Sequence, residues 1–174
     1  MATAAFKRTL KWQPGDVFAV PLTDGSFGFV QAVAPVMTHA IDFAVLSTRS
    51  STPTATISEV DATSVIAIHA AWRQAITGGY WGKVLRTKLL ISPSQCPNQT
   101  LIAHSNGIGI QHSAVGLVET YLSACHGLVP WNIHKAHSFD DYLVQGSSRP
   151  SLAYLLSPAE LAIYQQAASV HHVA

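Results

Sequence analysis

Along the first half of the chain, short apolar runs rich in β-branched and aromatic residues alternate with Gly, Pro, Asp and Ser, the punctuation that strands and tight turns require. Asp16 to Pro21 predicts a first strand. Thr23-Asp24-Gly25-Ser26 supplies a turn whose Asp-Gly pair tolerates positive φ, and a second strand follows from Phe27 to Ala34, ending at Pro35. Ile41 to Ser47 and Val65 to His69 predict two more strands, separated by a Ser/Thr/Pro-rich loop from Arg49 to Thr56. The pattern is that of an antiparallel meander. Ala70 to Ile76 fits a short helix or a strand; Gly78-Gly79 ends it, and Tyr80 to Leu85 resumes extended structure.

Ile102 to Ile110 places Asn106-Gly107 between apolar positions, which predicts a tight hairpin or loop. After Ser113 the period changes. Val115, Val118, Leu122 and Cys125 recur at three and four, and Gly127 follows as a C-terminal cap. Ser157-Pro158-Ala159-Glu160 has the Ser, Pro and Glu of a capping box and starts a second helix that runs to about Ala168. These elements predict an α+β chain, mainly antiparallel β, with residues 1–174 forming a single domain. Residues 1–12 are an N-terminal arm, and residues 13–112 a β-rich part built as a strongly bent sheet or an SH3-like small barrel. Residues 113–170 are a helical part, whose helices near 113–126 and 158–168 pack on the sheet.

Composition narrows the class. The 174 residues are 48% hydrophobic, enough for one substantial core. Charged residues make up 11% of the chain, well under the roughly 25% of a typical soluble domain. The 10 Lys and Arg and 9 Asp and Glu are scattered, with a net charge of +1 and no basic stripe, so gripping a phosphate backbone is not expected and no nucleic-acid partner is predicted. The most apolar stretch, Val17 to Ala34, contains Pro21 and Asp24, so no membrane partner is expected. The start of the chain, through Lys7-Arg8, has no apolar h-region, which predicts a cytoplasmic location. Cys96 and Cys125 are far apart and read as two reduced thiols.

Nine histidines raise the question of a metal, with His134-x-x-His137 offering a ligand pair and His126 a third. Against this, the chain has no HExxH, no CxxC and no carboxylate at a diagnostic spacing, and these imidazoles read as polar or half-buried residues. His171-His172 reads as a frayed tail. Cys125-His126 are adjacent on a helix and point about 100° apart, so they do not form a nucleophile and base. GxSxG and phosphate-cradling motifs are absent, and no catalysis, cofactor or metal is expected. Trp131, beside Pro130, is either a core plug or a partner anchor.

The segment from Gln13 to Val33 contains Gly15, Asp16, Phe18, Pro21, Leu22, Asp24, Gly25, Gly28 and Gln31. It resembles the opening of the immunity protein 26 family of bacterial polymorphic toxin systems, in which a PGDVF-type strand, a PL-DG turn and a G-x-x-Q-V strand begin a largely β domain. The resemblance implies a non-catalytic protein that neutralises a cognate toxin by direct contact, with those motif residues serving as scaffold. Contact residues are then expected outside the hairpin, in the turn-rich segment that holds Trp131, Asp140, Asp141 and Tyr142. The two aspartates read alternatively as caps. A PGDV strand also opens the small barrels of mRNA interferase toxins. Those carry an Arg soon after it, whereas the next Arg here is Arg49, so an RNA-cleaving enzyme is the alternative reading, with a histidine metal protein beside it.

Overall fold

The computed structural model describes residues 6–9, 11–56, 60–105, 109–134, 139–144 and 146–170. Asp24-Gly25 turns the chain between β1 (Asp16–Pro21) and β2 (Phe27–Val36). Gly25 takes φ +86°, Leu22 N–H donates to the Ser26 carbonyl at 2.8 Å, and Gly25 N–H donates to the Leu22 carbonyl at 3.0 Å. β3 (Ala40–Ser50), β4 (Val65–Trp72) and β5 (Gly82–Arg86) complete a sheet of order β4-β3-β2-β1-β5, antiparallel throughout. β4 and β5 lie at opposite edges, so the sheet stays open and the small-barrel alternative falls away. Register shifts interrupt the β1–β5, β2–β3 and β3–β4 ladders, as in a sheet bent by bulges.

Both faces of this sheet are covered, which explains why β1 and β2 read as almost unbroken apolar runs. On one face Phe18, Val30, Phe43 and Ala71 pack with Val118, Tyr121 and Leu122 of a helix, α3 (Val115–Cys125), and with Trp131 and Phe139 beyond it. The crossover from β4 to β5 runs over the same face through α1 (Gln74–Thr77) and buries Ala75, Ile76 and Trp81. The Trp81 ring lies 5.3 Å from Phe43, and its indole N–H donates to Glu119 on α3 at 3.0 Å. On the other face Val17, Phe29, Ala44 and Leu46 pack with Ile91 and Cys96, and Phe6 adds its ring at the β5 end.

Residues 70–76 divide between the end of β4 and α1. Of the Ile102 to Ile110 stretch expected to form a tight hairpin or loop, Ile102 to Ser105 instead end a helix, α2 (Pro97–Ser105); the Asn106-Gly107 pair lies outside the described residues. The helical period is hard to read there because the only strongly apolar residues, Leu101 and Ile102, are adjacent, and α2 is fastened to the sheet by polar side chains. α3 ends as its sequence predicts: Gly127 takes φ +67° and Leu128 N–H donates to the Ser123 carbonyl at 2.9 Å. α4 (Pro158–Val170) also starts as predicted, with Ser157 N–H donating to the Glu160 carboxylate at 2.8 Å and Glu160 N–H to the Ser157 hydroxyl at 3.4 Å. Among its described side chains, however, none belongs to the clusters on the sheet and all are at most half-buried; a Gln165 side-chain bond to the Ile133 carbonyl at 3.2 Å links it to the body.

Candidate functional site

The hairpin motif residues occupy the first turn, the core and the seam between β1 and β5. Gly15 takes φ +91°, and a Cβ there would stand 2.3 Å from the Thr87 carbonyl oxygen; at Gly28 a Cβ would press on Leu122 at 3.0 Å. Phe18 and Leu22 are core, and Pro21 ends β1. Asp24 accepts from Ser26 N–H at 3.0 Å and pairs with Arg49, which also donates to the Ser26 hydroxyl. Asp16 is fully buried and accepts from Arg86 at 2.7 Å, Lys83 at 2.9 Å and Gln13 N–H at 2.9 Å. Burial pushes its carboxyl upward, but the bonds from Arg86, Lys83 and the Gln13 backbone outweigh that and hold it below its ordinary value. Gln31 is also fully buried. Its amide donates to the Thr87 hydroxyl at 2.7 Å and the Lys88 carbonyl at 2.9 Å, and its oxygen accepts from Leu90 N–H at 2.9 Å, which ties down the segment after β5.

The polar chemistry of the opposite sheet edge centres on Asp42. This β3 residue is 1% exposed and faces α2, where Asn98 donates to one carboxylate oxygen at 3.2 Å and Gln99 to the other at 2.8 Å. Asn98 also bonds both ways with the backbone of Gln111, at 2.8 and 3.1 Å, and Gln99 reaches the Pro35 carbonyl at 2.9 Å. Burial pushes the Asp42 carboxyl upward, and the two amide bonds offset this only in part. Among the described residues no ion pair reaches it. Asp42, Asn98, Ile68, Ala70, Leu101 and Tyr142 line a cavity of about 300 Å³, which Asp141 also borders. A second cavity of about 620 Å³ shares Ala70, Gln111, Asp141 and Tyr142 with the first, so the two form one groove along β4.

The groove sits where the β4 edge is only partly covered. Ser113 N–H donates to the Ala70 carbonyl at 2.7 Å and Val144 N–H to the Ile66 carbonyl at 3.1 Å, so a strap docks on either side of Ile68. Of the four residues expected to meet a partner, two border this groove. Asp141 is exposed and Tyr142 half-buried. Trp131 is 2% exposed and packs against Tyr121 and Phe139, in the arrangement of a core plug. Asp140 supports that plug: it accepts from the Trp131 indole at 3.0 Å and pairs with Arg149 at 2.8 Å, whose guanidinium lies 5.8 Å from the Trp131 ring.

Both cysteines and two of the histidines are shifted by burial. Burial pushes both the Cys96 and the Cys125 thiol up to about 12. His69, fully buried on β4, is pushed down to about 3 by desolvation, and its Nε2 meets no hydrogen-bond partner among the described residues. His126 is likewise lowered by burial and by Arg49, with Asp24 opposing. Among the described residues no three His, Cys, Asp or Glu side chains are placed to hold a metal ion; His137 lies outside them. None of the described helices is long and apolar enough to cross a membrane.

The reading of the sequence passed over Asp42, His69, Asn98 and Gln111. A signal was present for the first: a lone acid between Ile41 and Phe43, in a strand apolar on both sides, needs buried donors. Comparison with known proteins adds one match. A family model described as Immunity protein 26 matches residues 13–97, a span that contains all five strands. Neither the curated proteins nor the solved structures supply a match.

Proposed function

The sheet-bearing half of the chain, residues 13–97, belongs to the immunity protein 26 family, and on that premise we propose that the protein binds a cognate bacterial toxin and blocks it by direct contact, without catalysis. The observation that carries this reading is that the family match takes in the whole sheet and not an isolated hairpin. The chemistry of the site agrees with it, since both thiols are buried and Arg49 is engaged by Asp24 and Ser26. A stable inhibitory contact covers about 1,200 to 2,000 Å² in total, much more than a groove, so the groove supplies the centre of the contact and its rim the remainder. Asp141 and Tyr142 are its contact residues, while Trp131 and Asp140 hold the strap that presents them.

The test is co-expression with the C-terminal domain of the toxin encoded next to this gene, scored for growth and for co-purification. Restored growth with a stoichiometric complex is the expected result. Continued growth arrest in the presence of folded protein would overturn the proposal, as would RNA cleavage by the purified chain alone.

A further inference from the structure

The two cavities along β4 combine three properties that together specify a ligand. Their walls include Ile68, Ala70, Pro97 and Leu101, an apolar lining suited to a methylene stem. Among the lining residues is Asp42, 1% exposed, whose carboxylate accepts from the neutral amides of Asn98 and Gln99 and meets no ion pair among the described residues. Each of its oxygens takes one of those bonds, and a carboxylate oxygen has room for a second. The described lining of both cavities contains no Lys or Arg, and Asp141 adds a second negative group at the rim.

A buried carboxylate without a counter-ion is costly to keep, and the cost is recovered when a cation enters a site where water no longer screens the pair. Asp42 also fastens α2, and that task requires an acceptor but no open cavity beside it. An acid with spare acceptor capacity, an apolar approach and the lack of any Lys or Arg among the described lining residues meet at this cavity.

We infer that this groove is a socket for a lysine or arginine side chain, with Asp42 receiving the charged head, Asp141 drawing it in at the rim and the Ile68 and Leu101 walls packing on the stem. That the side chain belongs to the toxin rests on the immunity reading; the socket itself does not. The toxin is thereby expected to present a basic residue at the centre of its contact surface, and the pairing is strong because it is desolvated.

The experiment uses the isotope-labelled chain and three capped amino acids as probes: N-acetyl-lysine methylamide, N-acetyl-arginine methylamide and N-acetyl-norleucine methylamide. At millimolar concentrations the basic probes are expected to shift the side-chain amide signals of Asn98 and Gln99, and the norleucine probe to leave them unmoved. Asp42→Asn should weaken the basic probes by about tenfold or more, as expected when one partner of a buried charge pair is lost. Asp141→Asn, at an exposed position, serves as the second variant if Asp42→Asn does not fold, and should weaken them several-fold. Equal shifts from norleucine would make the groove a merely apolar slot. No shift from any probe would leave Asp42 as a fastener of α2 only. Either result overturns the socket. Because no toxin is present in this titration, the socket can fail while growth rescue stands, and rescue can fail while the titration succeeds.

Discussion

The ring of Tyr142 lies flat on the imidazole of His69, with centroids 3.9 Å apart and planes 19° from parallel. Tyr121 closes the imidazole from another side at 4.6 Å, and the Ser113 hydroxyl stands 3.5 Å from Nδ1. The strap that borders the groove is therefore held to β4 by a fully buried imidazole that must remain neutral.

This fixes a pH dependence. The unfolded chain binds a proton at His69 near 6.5 and the native one only near 3, so the native state carries its full advantage above 6.5 and loses it as the pH falls through that interval. Acidification from neutrality to about pH 4 should cost about 3 kcal/mol at this residue. In His69→Phe, which keeps a ring between the two tyrosines, the urea midpoint should change much less between pH 7 and about pH 4 than in the natural chain.

The two positive-φ glycines of the hairpin should differ in tolerance. A Cβ at Gly25 meets nothing within 4 Å, so Gly25→Val pays only the conformational strain, about 1 kcal/mol or a little more. At Gly15 the same substitution also drives a Cβ into the Thr87 carbonyl. Thermal melts should show Gly15→Val losing at least twice as much as Gly25→Val.

Asp140 and Asp141 should separate in mutagenesis. Asp140→Ala leaves the buried Trp131 indole N–H without its acceptor and removes the Arg149 pair, an expected loss of about 1 to 2 kcal/mol measured by denaturant unfolding. Asp141→Ala, at an exposed position, should stay within about 0.5 kcal/mol of the parent while weakening toxin binding in a direct titration.

Gln31→Leu keeps the volume of the side chain but strips partners from the Thr87 hydroxyl, the Lys88 carbonyl and Leu90 N–H. A loss of about 1 to 3 kcal/mol is expected. Hydrogen exchange should quicken at the Leu90 amide.

What could be read in the sequence was what local physics decides. The Asp24-Gly25 turn, the Gly127 cap and the Ser157 to Glu160 capping box each depend on residues within a few positions of one another, and all three occur where their residues stand. The groove depends on contacts across distant segments: Asp42 with Asn98 and Gln99, His69 with Tyr142, Trp131 with Asp140 on the far side of a turn. No short-range pattern encodes these partners. α2 was missed for the same reason, because its fastening is polar and long-range where a helical apolar stripe was sought. Trp131 shows the converse limit, since a tryptophan beside a proline looks the same in sequence whether it faces solvent or core.

The link between Asp16 and β5 also bears on how the chain reaches its native state. β1 to β4 pair in sequence order, each beside the strand before it, whereas β5 returns across the sheet to the outer side of β1. Until Lys83 and Arg86 arrive, the Asp16 carboxylate has neither of its cations and cannot be desolvated without penalty. The last strand therefore acts as a gate on completion: a nascent chain halted before Gly82 retains an unclosed β1 margin, open to pairing with other strands, and the arrival of two basic residues seals that margin.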